Sequence, residues 1–257
     1  MLARSPDATA PRAARLAALR RDAWREALPC FLLLAALAGW LGRLGEFGIW
    51  FQLRSLAVFA AAFALVLASL ATHAPNTRFG AANRVTLARL AMVALLAAVI
   101  GEPADDAVAW CSIGVAASAA LLDALDGPLA RHGGLASDFG ARFDMETDAL
   151  LVLVLSLLVV LFGKAGPWIV AAGLMRYFFV MAARPWPWLA RALPSSGRRK
   201  TVCVVQITSL IVCLGPVVAP PWSNALAAAS LVLLAASFAI DIAWLLRHRD
   251  IPPETAT

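Results

Sequence analysis

The sequence predicts an all-α integral membrane protein, and two observations support this prediction. Hydrophobic residues make up 61% of the 257 residues and charged residues only 15%, whereas about a quarter of the residues in a soluble domain are charged. Apolar runs of about 16 to 22 residues recur along the chain, and each is long enough or nearly long enough to cross a ~30 Å hydrocarbon core as a helix. A β-barrel would instead need alternating strands of about ten residues.

Eight such runs predict eight transmembrane helices. They fall near residues 28–42, 54–73, 86–101, 107–125, 147–163, 167–184, 201–219 and 224–246. Ahead of them, residues 1–27 are rich in arginine, with leucine and tryptophan at helical spacing. This pattern is typical of a basic amphipathic helix on an anionic membrane surface. A cleaved signal peptide is the disfavoured alternative, because the basic region is too long and no small-residue cleavage site follows cleanly.

The basic residues predict the orientation in the membrane. Most loop arginines and lysines fall in the gaps at 74–85, 126–146 and 185–200 and beyond the last helix. By the positive-inside rule, these gaps and both termini are expected in the cytoplasm. Three basic residues on the opposite side are exceptions, namely Arg43, Arg54 and Lys164. Orientation therefore accounts for the net charge of +6, and no nucleic-acid partner is expected.

Carboxylates concentrate where the fourth helix ends and the fifth begins. Asp123 and Asp126 are three residues apart, and Asp144 and Asp148 are four apart, so each pair faces one way on its helix. If the helices pack side by side, two of these charges ~5 Å apart repel by roughly 3 kcal/mol at an effective dielectric of 20. Oxygen ligands of this kind favour hard cations, and two Mg²⁺ or Mn²⁺ ions would relieve the repulsion.

A solvated acidic loop is the alternative interpretation of these carboxylates. The helical spacing argues against it, and carboxylates near membrane depth usually mark a functional site. Gly127 and Gly140 would allow close approach of a ligand or of a neighbouring helix. Arg131, one turn past Gly127, offers a bidentate fork for a phosphate.

These residues resemble the signature of the CDP-alcohol phosphotransferase family. The spacing is D-x2-D-G-x2-A-R-x8-G-x3-D-x3-D, with Asp123, Asp126, Gly127, Ala130, Arg131, Gly140, Asp144 and Asp148 at the fixed positions. Upstream, "NRVTLAR" at 83–89 is similar to the family's N-x-x-T-x-x-R stretch, and "GRRKT" at 197–201 resembles its basic segment. The resemblance implies a six-helix catalytic core at 83–246. The predicted segments outside this core are the interfacial segment 1–27, two additional transmembrane helices in 28–82 and a cytoplasmic tail at 247–257.

The resemblance also implies a role for each residue that matches the motif. Two divalent metal ions, Mg or Mn, would be held by Asp123, Asp126, Asp144 and Asp148, and Asp148 would also act as the base that deprotonates the acceptor. The CDP-activated donor would be held by Asn83, Thr86, Gly127, Ala130, Arg131, Ser137 and Gly140. Ser137 has an alternative role as the cap of the helix beginning near Gly140. Family members are expected to be homodimers.

The implied reaction transfers a phosphatidyl group from a CDP-activated lipid, such as CDP-diacylglycerol, to a small polar alcohol with release of CMP. Glycerol 3-phosphate is one expected acceptor, and serine or inositol phosphate are alternatives. Arg176 and the loop cluster Arg198, Arg199 and Lys200 would form an anion pocket for the acceptor, or the loop would contact membrane lipid headgroups. Tyr177 and Gln206 depart from the pattern usual in phosphatidylglycerophosphate synthases, which leaves the acceptor open.

A membrane cation transporter is the rival from another class. It would distribute its carboxylates through the depth of the bilayer, whereas here they crowd one cytoplasmic end. We therefore expect a multi-pass protein of the bacterial inner membrane, with its active site at the cytoplasmic face.

Overall fold

The computed structural model describes residues 12–44, 47–73, 79–133, 138–194 and 196–249. These residues form helices and no strands, which confirms the all-α prediction. The eight α-helices within them are α1 (Arg12–Leu44), α2 (Ile49–Ser69), α3 (Ala81–Ala98), α4 (Asp106–Gly133), α5 (Asp138–Leu161), α6 (Val170–Ala182), α7 (Gly197–Leu214) and α8 (Trp222–Arg247). Short 3-10 turns cover Leu70–His73, Pro167–Ile169 and Pro187–Ala190.

Five of these helices contain stretches that are long and apolar enough to cross a membrane, so the chain is a membrane protein. The stretches are Ala13–Arg43, Ile49–Ser69, Ala81–Ala98, Asp106–Asp123 and Trp222–Arg247. A shorter apolar helix covers Pro167–Ala182. The two remaining helices begin in charged segments, the acidic one at the start of α5 and the basic one at the start of α7. Eight crossings remain a prediction.

The N-terminal helix α1 is longer than a single membrane span requires. Its 33 residues extend about 50 Å at 1.5 Å per residue, compared with a hydrocarbon core of ~30 Å. Residues 12–27 of the expected interfacial segment and the first expected span are therefore one continuous helix. Where this helix leaves the membrane, and the domain boundaries predicted from the sequence, stay predictions.

The chain divides into two compact units within α5, the first ending at Asp148 and the second beginning at Ala149. In the first unit, α3 packs against α1, α2 and α4. One stripe of α2 is buried, with Phe51, Ser55, Phe59 and Phe63 four residues apart, which is the spacing of a helix face turned toward its neighbours. The Trp24 ring from α1 meets Phe63 edge to face, with 5.0 Å between the ring centroids.

Arg54 on α2 has partners that explain its exceptional place in the charge pattern. Its guanidinium donates hydrogen bonds to the Ile100 carbonyl and to the Glu102 carboxylate, both in the connection between α3 and α4. An ion pair compensates a charge that would be expensive near the membrane. Arg54 therefore joins α2 to this connection.

The second unit contains α6, α7, α8 and the C-terminal part of α5. A Cβ added to Gly173 on α6 would lie 2.3 Å from the Leu153 Cα on α5, so the two helices approach closely at this point. Lys164, another exception in the charge pattern, donates from Nζ to the carbonyl oxygens of Gly215 at 2.9 Å and Val218 at 3.1 Å. Lys164 therefore joins the segment after α5 to the connection between α7 and α8.

Candidate active site

Helices α4 and α5 bring three of the four predicted metal ligands together. Asp123, Asp144 and Asp148 each offer a carboxylate oxygen, and these oxygens all lie within 4.8 Å of one another. Asp144 and Asp148 share one face of α5 because they are four residues apart. All three carboxylates are half-buried. The convergence predicted from the spacing is thus present in the first unit.

Arg89 on α3 is the counter-ion of this carboxylate cluster. Its side chain is 1% exposed, and its Nη1 lies 2.9 Å from Asp123. The same guanidinium pairs with Asp144 through Nη1 and with Asp148 through Nη2. Arg89 lies in the "NRVTLAR" stretch, but that pattern predicted no role for it. The available signal was an arginine inside an apolar helical run, where a charge is tolerated only when it is paired.

The charge balance of the cluster suits a divalent cation. Three ionised carboxylates and one guanidinium leave two negative charges within a small volume. Each carboxylate has two oxygens and about four lone-pair sites, so its contact with Arg89 does not exhaust its capacity as a ligand. An all-oxygen set of this kind fits Mg²⁺ or Mn²⁺ rather than a soft metal.

The remaining signature residues are only partly described. Asp126, Gly127, Ala130 and Arg131 lie on α4, which continues to Gly133, but their side chains are outside the described part of the structure. Ser137 lies outside the described residues altogether. Gly140 lies on α5 and is half-buried. Asp126 follows Asp123 by three residues along the continuous helix α4.

Two predicted donor-binding residues begin α3. Asn83 is 5% exposed and Thr86 is 3% exposed. The Asn83 amide donates to the Phe79 carbonyl, and the Thr86 hydroxyl donates to the Ala82 carbonyl at 3.2 Å. Both side chains are therefore bonded to the backbone of the segment that begins α3.

The predicted acceptor-binding residues lie in the second unit. Arg198 donates to the Ser237 carbonyl at 2.8 Å and also pairs with Asp241 on α8. The Arg199 guanidinium lies 3.6 Å from the same Asp241 carboxylate. Lys200 is exposed at the first turn of α7, and Arg176 is half-buried on α6. Asp241 thus brings two of the four predicted cations together.

An acidic cluster on α4 and α5, balanced by one buried arginine on α3, gives this helical membrane protein a candidate metal site. A family model described as CDP-alcohol phosphatidyltransferase matches residues 79–241. The chain belongs to this family, as its signature resemblance indicated, and it is a transferase of substituted phosphate groups.

Two curated relatives are each named "Probable phosphatidylglycerophosphate synthase", one from Mycobacterium tuberculosis strain CDC 1551 / Oshkosh and one from strain ATCC 25618 / H37Rv. Each is 31% identical to this chain over 168 residues, which is 63% of this chain and 76% of the relative. No solved structure matches this chain.

Proposed function

We propose that this protein transfers the phosphatidyl group of CDP-diacylglycerol to a small polar alcohol, with glycerol 3-phosphate as the first candidate acceptor. The observation that carries the proposal is the convergence of Asp123, Asp144 and Asp148 within 4.8 Å, inside the region that matches the family. The names of the two relatives support glycerol 3-phosphate over serine or inositol phosphate.

In the proposed reaction, the acceptor hydroxyl oxygen forms a bond to the phosphorus that carries the diacylglycerol, and the bond from this phosphorus to the CMP oxygen breaks. Asp148 takes the hydroxyl proton, and CMP leaves. Asp123, Asp126, Asp144 and Asp148 would hold two Mg²⁺ or Mn²⁺ ions. When bound, such ions neutralise the charge of the pyrophosphate and of the departing CMP.

The chain's own residues would orient the donor. Arg131 would pair with a donor phosphate, and Gly127 and Gly140 would let the nucleotide approach α4 and α5 closely. Asn83, Thr86, Ala130 and Ser137 complete the proposed donor site. Arg89 holds three of the carboxylates at one point, so the ligands need little rearrangement when the metals bind.

We propose that the acceptor's anionic group binds to Arg198 and Arg199, with Arg176 and Lys200 as further contacts. Arg198 and Arg199 both contact the single carboxylate of Asp241, so these three side chains together carry one net positive charge. This net charge favours a phosphorylated alcohol over a neutral one. The proposal also includes a homodimer in a bacterial inner membrane, with this site facing the cytoplasm.

The test is CMP release by the purified protein supplied with CDP-diacylglycerol, Mg²⁺ or Mn²⁺, and a panel of glycerol 3-phosphate, serine and inositol phosphate. We expect release with one acceptor, loss of it in EDTA, and at least a hundredfold loss in Asp144→Ala. Glu146→Ala is the matched control, since it removes an exposed acid between two cluster residues. Absence of CMP with every acceptor, together with unchanged metal binding in Asp144→Ala, would exclude the proposed reaction.

A further inference from the structure

We infer that the N-terminal helix α1 belongs to the donor site, because Asp22 and Glu26 position the segment that begins α3. Both residues lie outside the region that matches the family, which starts at residue 79. The inference rests on the proposed function in one respect only, namely that Asn83 and Thr86 serve the CDP-activated donor.

Phe79 is the junction at which α1 reaches this segment. Its backbone N–H donates to the Asp22 carboxylate at 2.7 Å, and its carbonyl accepts the hydrogen bond from the Asn83 amide. Its side chain is completely buried. The ring lies 6.3 Å from the rings of Phe139 and Phe143, measured between centroids. A displacement of Phe79 would therefore act on both α3 and α5.

The ring contact joins Phe79 to α5, the helix that carries two carboxylates of the cluster. Phe143 immediately precedes Asp144 on α5. Asp22 thus connects by three steps to a predicted metal ligand, through the Phe79 backbone, the Phe79 ring and Phe143. The same Phe79 backbone accepts the hydrogen bond from the Asn83 amide. Asp22 on α1 is therefore connected both to a predicted donor-binding residue and to a predicted metal ligand.

The start of α3 needs such support from outside. Gly80 precedes the helix with φ of 89° and no side-chain cap, a backbone conformation that glycine adopts without strain. Asp22 bonds one residue earlier, and Glu26, one turn further along α1, pairs with Arg84 at 2.7 Å. Two carboxylates near the N-terminus of a helix also stabilise it through its dipole.

A buried stripe holds these two acids in register. Leu19, Ala23 and Ala27 are at most 1% exposed, and their spacing of four places them on one face of α1. Asp22 and Glu26 each directly precede a buried alanine of this stripe. The acids therefore sit at the edge of a packed face, on a helix that contacts α3.

Positioning of the donor predicts a defect in donor KM with little change in kcat. We expect Asp22→Ala to raise the KM for CDP-diacylglycerol about tenfold, because a hydrogen bond to a charged group is lost. Asp22→Asn keeps an acceptor oxygen and should recover most of the loss. Glu26→Gln should raise the donor KM only two- to threefold. The effect is small because the partner Arg84 is largely exposed, and an exposed ion pair contributes little. Asp106→Asn, an exposed acid in the first turn of α4, is the matched control and should match the wild type.

Amide hydrogen exchange provides the second measurement, in detergent and without substrate. We expect faster exchange at residues 79–84 in Asp22→Ala, and wild-type exchange in Asp106→Asn. Equal donor KM and equal exchange in Asp22→Ala and the wild type would overturn the inference. If the wild type releases no CMP with any acceptor, the proposed function fails, and the exchange result still decides whether Asp22 holds this segment.

Discussion

Replacing Arg89 by methionine tests whether this arginine balances the carboxylate cluster. The three carboxylate oxygens lie within 4.8 Å of one another, so each ionised pair repels by about 3.5 kcal/mol at an effective dielectric of 20, and the three pairs by about 10 kcal/mol. Arg89 is 1% exposed and contacts all three carboxylates. Removing one partner of such a buried pair costs about 3–5 kcal/mol. We expect Arg89→Met to lose this much free energy of unfolding in EDTA.

Divalent cations should reverse part of that loss. A cation bound only to the folded state at 100 times its Kd adds about 2.7 kcal/mol to the protein that binds it. Arg89→Met lacks the guanidinium charge at this site, so we expect it to bind the cation more tightly than the wild type and to gain more stability. The stability gap between Arg89→Met and the wild type should therefore narrow when EDTA is replaced by saturating Mn²⁺.

The assay is unfolding by denaturing detergent in mixed micelles, followed by circular dichroism. Arg142→Met is the control, because Arg142 is an exposed arginine on α5 close to the same cluster, and it should change stability by no more than about 0.5 kcal/mol. Wild-type stability of Arg89→Met in EDTA would refute the electrostatic reasoning. So would a gap that is the same size in EDTA and in Mn²⁺.

Three further predictions concern the reaction, the packing and the acceptor. Asp148→Asn should retain binding of CDP-diacylglycerol, measured by equilibrium binding. Its CMP release should fall by about two to four orders of magnitude, as is typical for loss of a general base. Equal losses of binding and turnover would contradict the assignment of Asp148 as the base. Gly173→Ala should lower the free energy of unfolding by about 1–3 kcal/mol, because its Cβ would overlap the α5 backbone. Gly114→Ala is the control and should not destabilise the protein, because the space around Gly114 is open. Similar effects in the two variants would contradict the close approach of α6 to α5. Arg198→Gln should raise the KM for glycerol 3-phosphate at least tenfold and leave the donor KM unchanged, whereas a change in donor KM alone would place Arg198 outside the acceptor site.

The pairing of Asp144 with Asp148 on one face of α5 was predictable because helical periodicity is a local property. Residues three or four apart share a face whatever the rest of the chain does, and this placed Asp144 beside Asp148. The length of α4 was harder to predict. The apolar run suggested an end near residue 125, but the helix continues to Gly133, since polar residues extend a helix without adding to its apolar run.

The partners of the charged residues could not be predicted from the sequence. Arg54 and Lys164 looked like exceptions to the orientation rule, and the structure gives each of them specific partners. Asp241 on α8 pairs with Arg198 and Arg199 at the start of α7, and nothing in the local sequence around Asp241 indicates these partners. Such pairs join residues more than 40 positions apart, and no local pattern encodes that distance.

Taken alone, the sequence determined the helical membrane class, the family and the pairs of carboxylates, because run length, hydropathy and residue spacing act locally. Only the tertiary structure decided that Arg89 is the counter-ion of the cluster and that Asp22 accepts a hydrogen bond from the Phe79 backbone ahead of α3. The physical reason is that a buried charge or backbone group must find a partner in space. The packing of α1, α3 and α5 determines which partner it finds.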